Sequence, residues 1–203
     1  KRKVKKAIEK MGYNPNTVAR GLVLKKTNSI GLIIPDINNP FFPEIIKGVE
    51  RTAKKLGYSL ILCNTDNDKN EEKESIALLR SKQVDGIILS LSRNNKEVLK
   101  ELEKMNFPVV QIDRRIKDSI YPAVTIDNKK SAYIATEYLI KHGHRKIAHI
   151  TGDLQTDTAL DRLEGFKTAL HNYDLPCREE WILEGDYSKE SGRELMEKII
   201  KLK

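Results

Sequence analysis

Long apolar runs are missing from this chain, and cysteine is scarce. No stretch of it approaches the roughly 18 consecutive apolar residues of a membrane span, and the N-terminus lacks the apolar segment of a secretory signal. The two cysteines, Cys63 and Cys177, lie in unlike settings, so we expect reduced thiols with a structural role. These absences predict a soluble, cytoplasmic protein.

Sequence motifs of catalysis are missing as well. There is no glycine-rich phosphate loop of the Walker or dinucleotide type, and no Gly-x-Ser-x-Gly nucleophile elbow. His142 and His144 flank Gly143 at a predicted helix-to-strand turn, a spacing that suits a turn better than metal ligation. We therefore predict a protein that is not an enzyme and carries neither a metal nor a cofactor.

Net charge is absent from most of the chain and concentrated at one end. Residues 1–28 hold nine basic side chains and one acid, a net +8 that equals the charge of the whole chain. Residues 29–203 therefore balance, with 28 basic and 28 acidic side chains. A basic segment beside a neutral body favours a polyanionic partner, most commonly nucleic acid, although a solvated lysine-rich tail has the same composition.

Short apolar runs alternate with amphipathic stretches along the remainder. The predicted strands are Ser29–Ile34, Tyr58–Cys63, Val84–Leu89, Val109–Ile112, Ala123–Ile126, Lys146–Ile150 and Trp181–Leu183. The predicted helices are Phe42–Leu56, Glu71–Ser81, Lys96–Met105, Lys130–Lys141, Ala159–Asn172 and Lys189–Lys201. Gly57 and Gly143 stand where helix C-terminal caps belong. Apolar strands separated by helices predict an α/β fold with parallel sheets flanked by helices.

Polar and aromatic side chains follow the predicted strands. Ligands of open parallel sheets bind beyond the carboxyl ends of the strands, here the loops 36–42, 90–94, 113–115 and 152–161. The side chains of interest in and near these loops are Asn39, Phe41, Phe42, Asp113, Arg114 and Arg162. Planar polar groups pair with hydroxyls, and aromatic rings cover the apolar face of a sugar. Alone, either phenylalanine would more often belong to the core, and Asp113 or Arg162 would more often form a surface ion pair, but together these residues predict a sugar site.

The basic segment has a helical pattern of its own. Lys1–Met11 is helical in composition, and Asn14 can cap a second helix at about Pro15–Leu24. Val18 and Leu22 share one face of that helix, which is shorter than the roughly 12–15 residues that an isolated helix needs. We expect a second copy of the chain or DNA to order it, and docking on the body of the protein is the alternative.

Five segments carry a resemblance to a known family. They are Val18-Ala19-Arg20-Gly21-Leu22, Ser29-Ile30-Gly31-Leu32-Ile33-Ile34-Pro35-Asp36, Val84-Asp85-Gly86-Ile87-Ile88, Gly143-His144-Arg145-Lys146-Ile147 and Arg162-Leu163-Glu164-Gly165-Phe166. In this order they resemble the lactose repressor/galactose repressor family of bacterial transcription regulators. The resemblance implies a periplasmic-binding-protein-like (type I) effector domain. It divides the chain into the end of a DNA-binding headpiece with a hinge helix (1–28), an N-terminal effector subdomain (29–127) and part of a C-terminal one (128–203).

The resemblance also implies a function, that of a homodimeric repressor of operator DNA controlled by a small sugar. The DNA-binding residues would be Asn16, Ala19, Arg20 and Leu22, with Leu22 wedged into the minor groove. The effector would be ribose or a related pentose. The effector-binding residues would be Asn39, Phe41, Phe42, Asp113, Arg114, Arg162 and, more weakly supported, Thr158.

Two departures and two alternatives accompany the resemblance. Nothing like the family's helix-turn-helix precedes Lys1, and the family's effector domain continues well beyond Lys203, so we expect a fragment.

A free sugar-binding receptor for transport or chemotaxis would share the pocket, but it needs a secretory signal and would not carry Asn16–Leu22. A catabolite-control regulator would bind a phosphoprotein corepressor in place of a sugar. Whether the sugar is an inducer or a corepressor stays open.

Overall fold

A five-stranded parallel sheet forms the centre of the first half of the structure, a computed structural model that describes residues 10–11, 26–91, 95–116 and 118–202. The strands are β1 (Ser29–Ile34), β2 (Ser59–Asn64), β3 (Gly86–Leu89), β4 (Val109–Ile112) and β5 (Ala123–Val124). Their order across the sheet is β2-β1-β3-β4-β5, and all pairs are parallel. Because the strands are parallel, their carboxyl ends share one edge, the carboxyl edge, and their amino ends share the amino edge.

Helices cover both faces of this sheet. They are α1 (Phe41–Lys55), α2 (Lys69–Ser81) and α3 (Lys96–Lys104). Successive side chains of a strand point to opposite faces. Accordingly, Ile33 packs with Leu79 and Leu99 in one buried cluster, whereas Leu32 packs with Phe42 in the other. The nearly continuous apolar character of β1 follows from burial on both sides.

A smaller parallel sheet lies in the second half of the chain. Its strands are β6 (His149–Thr151) and β7 (Ile182–Glu184), and its helices are α4 (Asn128–Lys141), α5 (Asp157–Asn172) and α6 (Lys189–Lys201). A short 3-10 turn, Glu179–Trp181, precedes β7. Helices α4 and α5 approach closely because Gly165 has no side chain, and a Cβ there would overlap the backbone carbonyl of Lys129. Their shared core contains Ile140, Phe166 and Leu170.

The predicted fold class is confirmed, with parallel strands and flanking helices throughout. Gly57 and Gly143 have φ values of 78° and 89°, as expected of left-handed helix caps. The helix and strand ends differ by a few residues. Helix α5 begins at Asp157, inside the predicted loop 152–161, because the Thr156 side chain caps it by accepting the N–H of Ala159. Strand β6 begins at His149 instead of Lys146, since its ladder with β7 starts there.

Several predictions fall outside the described residues. They concern both helices of the basic segment, including Asn16, Ala19, Arg20 and Leu22, and the last three residues of the loop 90–94. Cys63 is buried in β2 and Cys177 is exposed, and both are free thiols. Among the helices of the described part of the chain, none combines the length and the apolar character that crossing a bilayer requires.

Candidate ligand site

The loop after β1 is fixed to its neighbours by side-chain amides. The Asn64 side chain, at the end of β2, accepts the backbone N–H of Ile37 at 2.7 Å. The Asn39 side-chain oxygen accepts the N–H of Phe41 at 3.1 Å, and its backbone oxygen accepts that of Phe42 at 3.1 Å. Asn39 therefore has a local role at the start of α1, and its side-chain oxygen is already engaged in this structure.

The two phenylalanines at the start of α1 have different environments. Their rings meet edge to face, with centroids 5.2 Å apart and an interplanar angle of 81°. Phe42 is 1% exposed and packs against Leu32 and Ile34, whereas Phe41 is 40% exposed. The sequence analysis expected both rings to line a pocket. The structure places Phe42 in the core beneath Phe41, because adjacent residues of a helix point about 100° apart and only one of these two faces the sheet.

Asp113 directly follows β4 and lies at the carboxyl edge of the sheet. Its φ is 63°, in the left-handed region, and its N–H donates to the Val124 carbonyl at 2.9 Å. Its side chain is 9% exposed. Burial raises the pKa of the Asp113 carboxyl, although the positive charges of Arg114 and Arg162 oppose that rise. A partly compensated buried carboxylate is a typical feature of functional sites.

Arg114 is directed into the protein and held there. Its Nη1 donates to the Leu91 carbonyl at 3.1 Å, its Nε lies 3.9 Å from Asp113 Oδ2, and its side chain is 13% exposed. Burial lowers the pKa of the Arg114 guanidinium, and the opposing influences are, in order, Asp113, Tyr187, Glu72 and Asp153. Arg114 is thus surrounded by acidic and phenolic groups from four other places in the chain.

A buried carboxylate that the sequence analysis missed belongs to this network. Glu72 is fully buried in the first turn of α2, and its Oε2 accepts the Asn95 side-chain N–H at 2.9 Å. The signal was present in the sequence, because Glu72 lies four positions before Ile76 and seven before Leu79, on the buried face of the helix. A charged residue at an inward position indicates a specific partner.

Arg162 and Thr158 approach the same region from α5. Arg162 Nε donates to Asn128 Oδ1 at 2.7 Å, which fixes the guanidinium against the start of α4. Thr158 is 6% exposed, and its hydroxyl lies 3.4 Å from that of Thr156, the residue that caps α5. The first turns of α4 and α5 therefore position a guanidinium and a hydroxyl near Asp113, since the Arg162 charge acts on the Asp113 carboxyl.

A cleft of about 420 Å³ opens between the carboxyl edge of the larger sheet and these two helices. It is lined by Asp113, Arg115, Asp118, Thr125, Ile126, Asn128, Asp157, Thr158 and Asp161. Of the predicted effector residues, Asp113 and Thr158 line it directly, and Arg162 is bonded to the lining residue Asn128. Asn39, Phe41, Phe42 and Arg114 are not among its lining residues.

Tyr187 is a second residue that the sequence analysis missed. It follows β7 with a φ of 70°, and a Cβ added to Gly152 would overlap its ring, so the tyrosine covers that glycine. It is also one of the groups that act on Arg114. Its place after a parallel strand was the available signal, because ligand loops follow such strands. Left-handed backbone at a non-glycine residue is costly and clusters at functional sites.

Similarity to known proteins decides the family. The profile described as "Periplasmic binding proteins and sugar binding domain of LacI family" matches residues 27–203. The chain belongs to the LacI family. Within the described residues, no group of three or more His, Cys, Asp or Glu side chains is placed to hold a metal ion.

Individual LacI-family members extend this result. Catabolite control protein A of Priestia megaterium is 40% identical over 201 residues, which are 98% of this chain and 60% of that protein. The ribose operon repressor of Halalkalibacterium halodurans is 42% identical over 172 residues, which are 85% of this chain and 51% of that protein. The crystal structure of transcription regulator CcpA of Lactococcus lactis superposes with a TM-score of 0.77 at 34% identity, covering 85% of this chain and 64% of that one. The chain thus spans about 50–65% of these relatives.

Proposed function

We propose that the chain is the sugar-sensing part of a DNA-binding repressor and that its effector is ribose or a closely related neutral pentose. The observation that carries the proposal is the cleft lined by Asp113 and Thr158 and bordered by Arg162. A carboxylate, a hydroxyl and a guanidinium together can pair with the donors and acceptors of a polyol. Membership of the LacI family supports a sugar ligand, and the similarity to a ribose operon repressor supports ribose.

The charge of the cleft supports a neutral sugar over a phosphorylated one. Its lining contains four carboxylates and one guanidinium, at Asp113, Asp118, Asp157, Asp161 and Arg115. A phosphate group entering among four carboxylates would be repelled, and Arg115 in the lining together with Arg162 at the border does not balance four negative charges. Hydroxyl groups carry no net charge and can donate to carboxylate oxygens, so a free pentose fits the same surroundings.

The arrangement of the whole protein is part of the proposal. The effector-binding body would consist of subdomains 29–127 and 128–203, preceded by a DNA-binding segment at 1–28. Two copies would pair their hinge helices in the minor groove, where Leu22 opens a base step and Arg20 meets phosphates. Sugar bound between the subdomains would alter their closure and hence the spacing of the two hinges.

Calorimetry tests the sugar claim. The protein is titrated with ribose and, separately, with ribose 5-phosphate, and we expect heat with ribose and much weaker binding of the phosphate. Arg162→Ala removes a charge-assisted donor worth about 1.5–3 kcal/mol and should weaken ribose binding by at least about tenfold. Arg193→Ala, on exposed α6, is the matched control and should leave the affinity unchanged. Absence of heat with ribose and other pentoses would sink the effector claim.

Footprinting tests the DNA claim. The probe is a duplex recovered from a random library by in vitro selection with the protein. Leu22→Ala should weaken the complex and reduce DNA bending, because an apolar wedge is lost. Leu24→Ala removes the same side chain from a position two residues along, which faces elsewhere on a helix, and serves as the control. Unchanged bending in Leu22→Ala would contradict the wedge.

One alternative has a specific observation in its favour. The similarity to catabolite control protein A supports a regulator whose corepressor is a phosphoprotein. The calorimetric experiment separates the two, because a regulator of that kind need not bind ribose. A free sugar-binding receptor is disfavoured by the net charge of +8 in residues 1–28, which a transport receptor has no use for.

A further inference from the structure

A carboxylate holds the end of the basic segment, at Thr27 and Asn28. Asp85 lies between α2 and β3, and its two oxygens accept two consecutive backbone N–H groups. Oδ1 accepts the N–H of Thr27 at 3.0 Å, and Oδ2 accepts that of Asn28 at 3.0 Å. Hydrogen bonds to a charged acceptor are about twice as strong as neutral ones. The Asp85 carboxylate therefore anchors the backbone itself, a few residues after the proposed hinge helix at about Pro15–Leu24.

Further hydrogen bonds hold Thr27 and Ser29 to the amino edge. The Thr27 hydroxyl donates to the Gln83 carbonyl at 2.8 Å and lies 2.7 Å from the Ser29 hydroxyl. The N–H of Asp85 donates to the Ser29 carbonyl at 2.8 Å. These bonds join residues 27–29 to the turn that leads into β3. A displacement of the larger sheet would therefore displace the end of the basic segment with it.

The backbone at the anchor is also in a conformation that needs support. Asn28 has a φ of 51°, in the left-handed region, which a non-glycine residue adopts at some cost. Its carbonyl accepts the N–H of Ser59 at 2.8 Å, so it is held to the first residue of β2 as well. Asp85 and Ser59 thus hold the left-handed turn from both sides. The direction in which the chain leaves the sheet is set by this turn.

We infer that Asp85 is a positioning residue for signal transmission: its carboxylate anchors the exit of the DNA-binding segment to the amino edge of the sheet. The inference rests on the proposed function. Asparagine at this position has one oxygen and one NH₂ group in place of two oxygens. Its NH₂ would face the N–H of Thr27 or Asn28, donor against donor. Asp85→Asn therefore keeps the shape of the side chain and releases one of the two backbone groups.

A second carboxylate in the same half of the protein provides the matched control. Asp68 caps α2, and its Oδ1 accepts the consecutive N–H groups of Asn70 at 2.6 Å and Glu71 at 3.1 Å. Asp68→Asn removes the same charge from a site at the carboxyl edge. Because a single oxygen of Asp68 accepts both N–H groups, asparagine can keep both bonds there, so a difference between the two variants reports the lost backbone bond at Asp85 and not the loss of a charge.

The experiment compares the intact protein with Asp85→Asn and Asp68→Asn. DNA affinity is measured with and without ribose on the in vitro-selected duplex, and ribose affinity is measured by calorimetry. Allosteric coupling commonly changes affinity about 5–150-fold. We expect Asp85→Asn to bring the ratio of the two DNA affinities close to one. Ribose affinity should change less than about twofold, because Asp85 lies far from the cleft and distant sites act nearly independently. Asp68→Asn should retain the coupling ratio. An unchanged ratio in Asp85→Asn would overturn the inference.

Hydrogen exchange supplies a readout that does not depend on the proposed function. The amides of Thr27 and Asn28 should be protected in the unsubstituted protein and exchange faster in Asp85→Asn, with no change in Asp68→Asn. Fast exchange of both amides in the unsubstituted protein would overturn the anchor. If the unsubstituted protein binds neither ribose nor DNA, the proposed function fails and the role in transmission falls with it, whereas protected amides would still establish the anchor.

Discussion

The two edges of the five-stranded sheet use aspartate in opposite ways. At the carboxyl edge, Asp113 is buried beside the cleft, and burial raises the pKa of its carboxyl even though two arginines face it. At the amino edge, Asp85 has both oxygens engaged by backbone N–H groups. One carboxylate lines a cleft where a ligand can bind it, and the other is engaged in holding the chain. The comparison teaches that the same residue type marks a site or a scaffold according to its partners.

The largest effect is expected beneath the carboxyl edge, at Phe42. Phe42→Ala removes a ring that is 1% exposed and leaves a cavity against Leu32 and Ile34, at a cost of about 3–5 kcal/mol in the free energy of unfolding. Phe41→Ala, at a ring that is 40% exposed, should cost much less. Urea denaturation of both variants measures the difference. Equal losses would mean that the two rings do not divide into core and surface as the structure shows.

The second prediction concerns the buried carboxylate of Asp113. Its pKa is raised by burial, so on acidification the folded state binds a proton before the unfolded state does. Asp113 therefore stabilises the fold at pH values below the pKa that its carboxyl has in the unfolded chain. This stabilisation is lost as the pH rises through the higher pKa of the folded state. At neutral pH, Asp113→Asn should raise the midpoint of thermal unfolding and abolish ribose binding. Asp85→Asn should lower the midpoint, since it breaks a bond to backbone. If both substitutions changed the midpoint of thermal unfolding in the same direction, the proposed difference between the two edges would be contradicted.

Most of the fold followed from the sequence, because parallel strands buried on both faces are apolar and their helices are amphipathic. Strand β1 and helix α6 match their predicted ranges, and Gly57 is the left-handed cap that the pattern indicated. The start of α5, for example, is set by the side-chain cap from Thr156. Propensity and periodicity do not encode such bonds.

The site was less predictable than the fold. Residues at strand ends, such as Asp113, could be found because topology places them at one edge. The inward position of Phe42 depends on the rotation of α1 about its axis, where successive residues point about 100° apart. Glu72 was predictable in principle, because its spacing places it on the buried face of α2. The position of the Tyr187 side chain depends on a left-handed backbone conformation that no local sequence motif indicates. Sequence patterns locate the edge, whereas three-dimensional packing decides which side chains reach the cleft.

The third prediction concerns His149, the first residue of β6. Its ring stacks on Phe166 with centroids 4.8 Å apart, and burial, followed by the charge of Arg162, lowers its pKa. On acidification the unfolded chain therefore takes up a proton that the folded chain resists, and stability falls as pH drops through the ordinary histidine value. His149→Gln should flatten this dependence, measured by urea denaturation between neutral and mildly acidic pH. The exposed His171, replaced in the same way, is the control, and an equal flattening there would contradict the assignment.

The smallest effect is expected at the amino edge, where Gly57 ends α1 and leads into β2. Its φ of 78° is left-handed, and alanine there should cost about 1 kcal/mol in the free energy of unfolding. Gly48 lies within α1, and a Cβ there meets nothing within 4 Å, so Gly48→Ala should stabilise by up to about 1 kcal/mol through helix propensity. The two substitutions are chemically identical and differ only in backbone conformation. Urea denaturation should therefore give opposite signs, and neither variant should alter ribose affinity, because neither residue lines the cleft. A loss of ribose binding in Gly57→Ala would show that the amino edge contributes to the site directly, and the separation between the two edges would then fail.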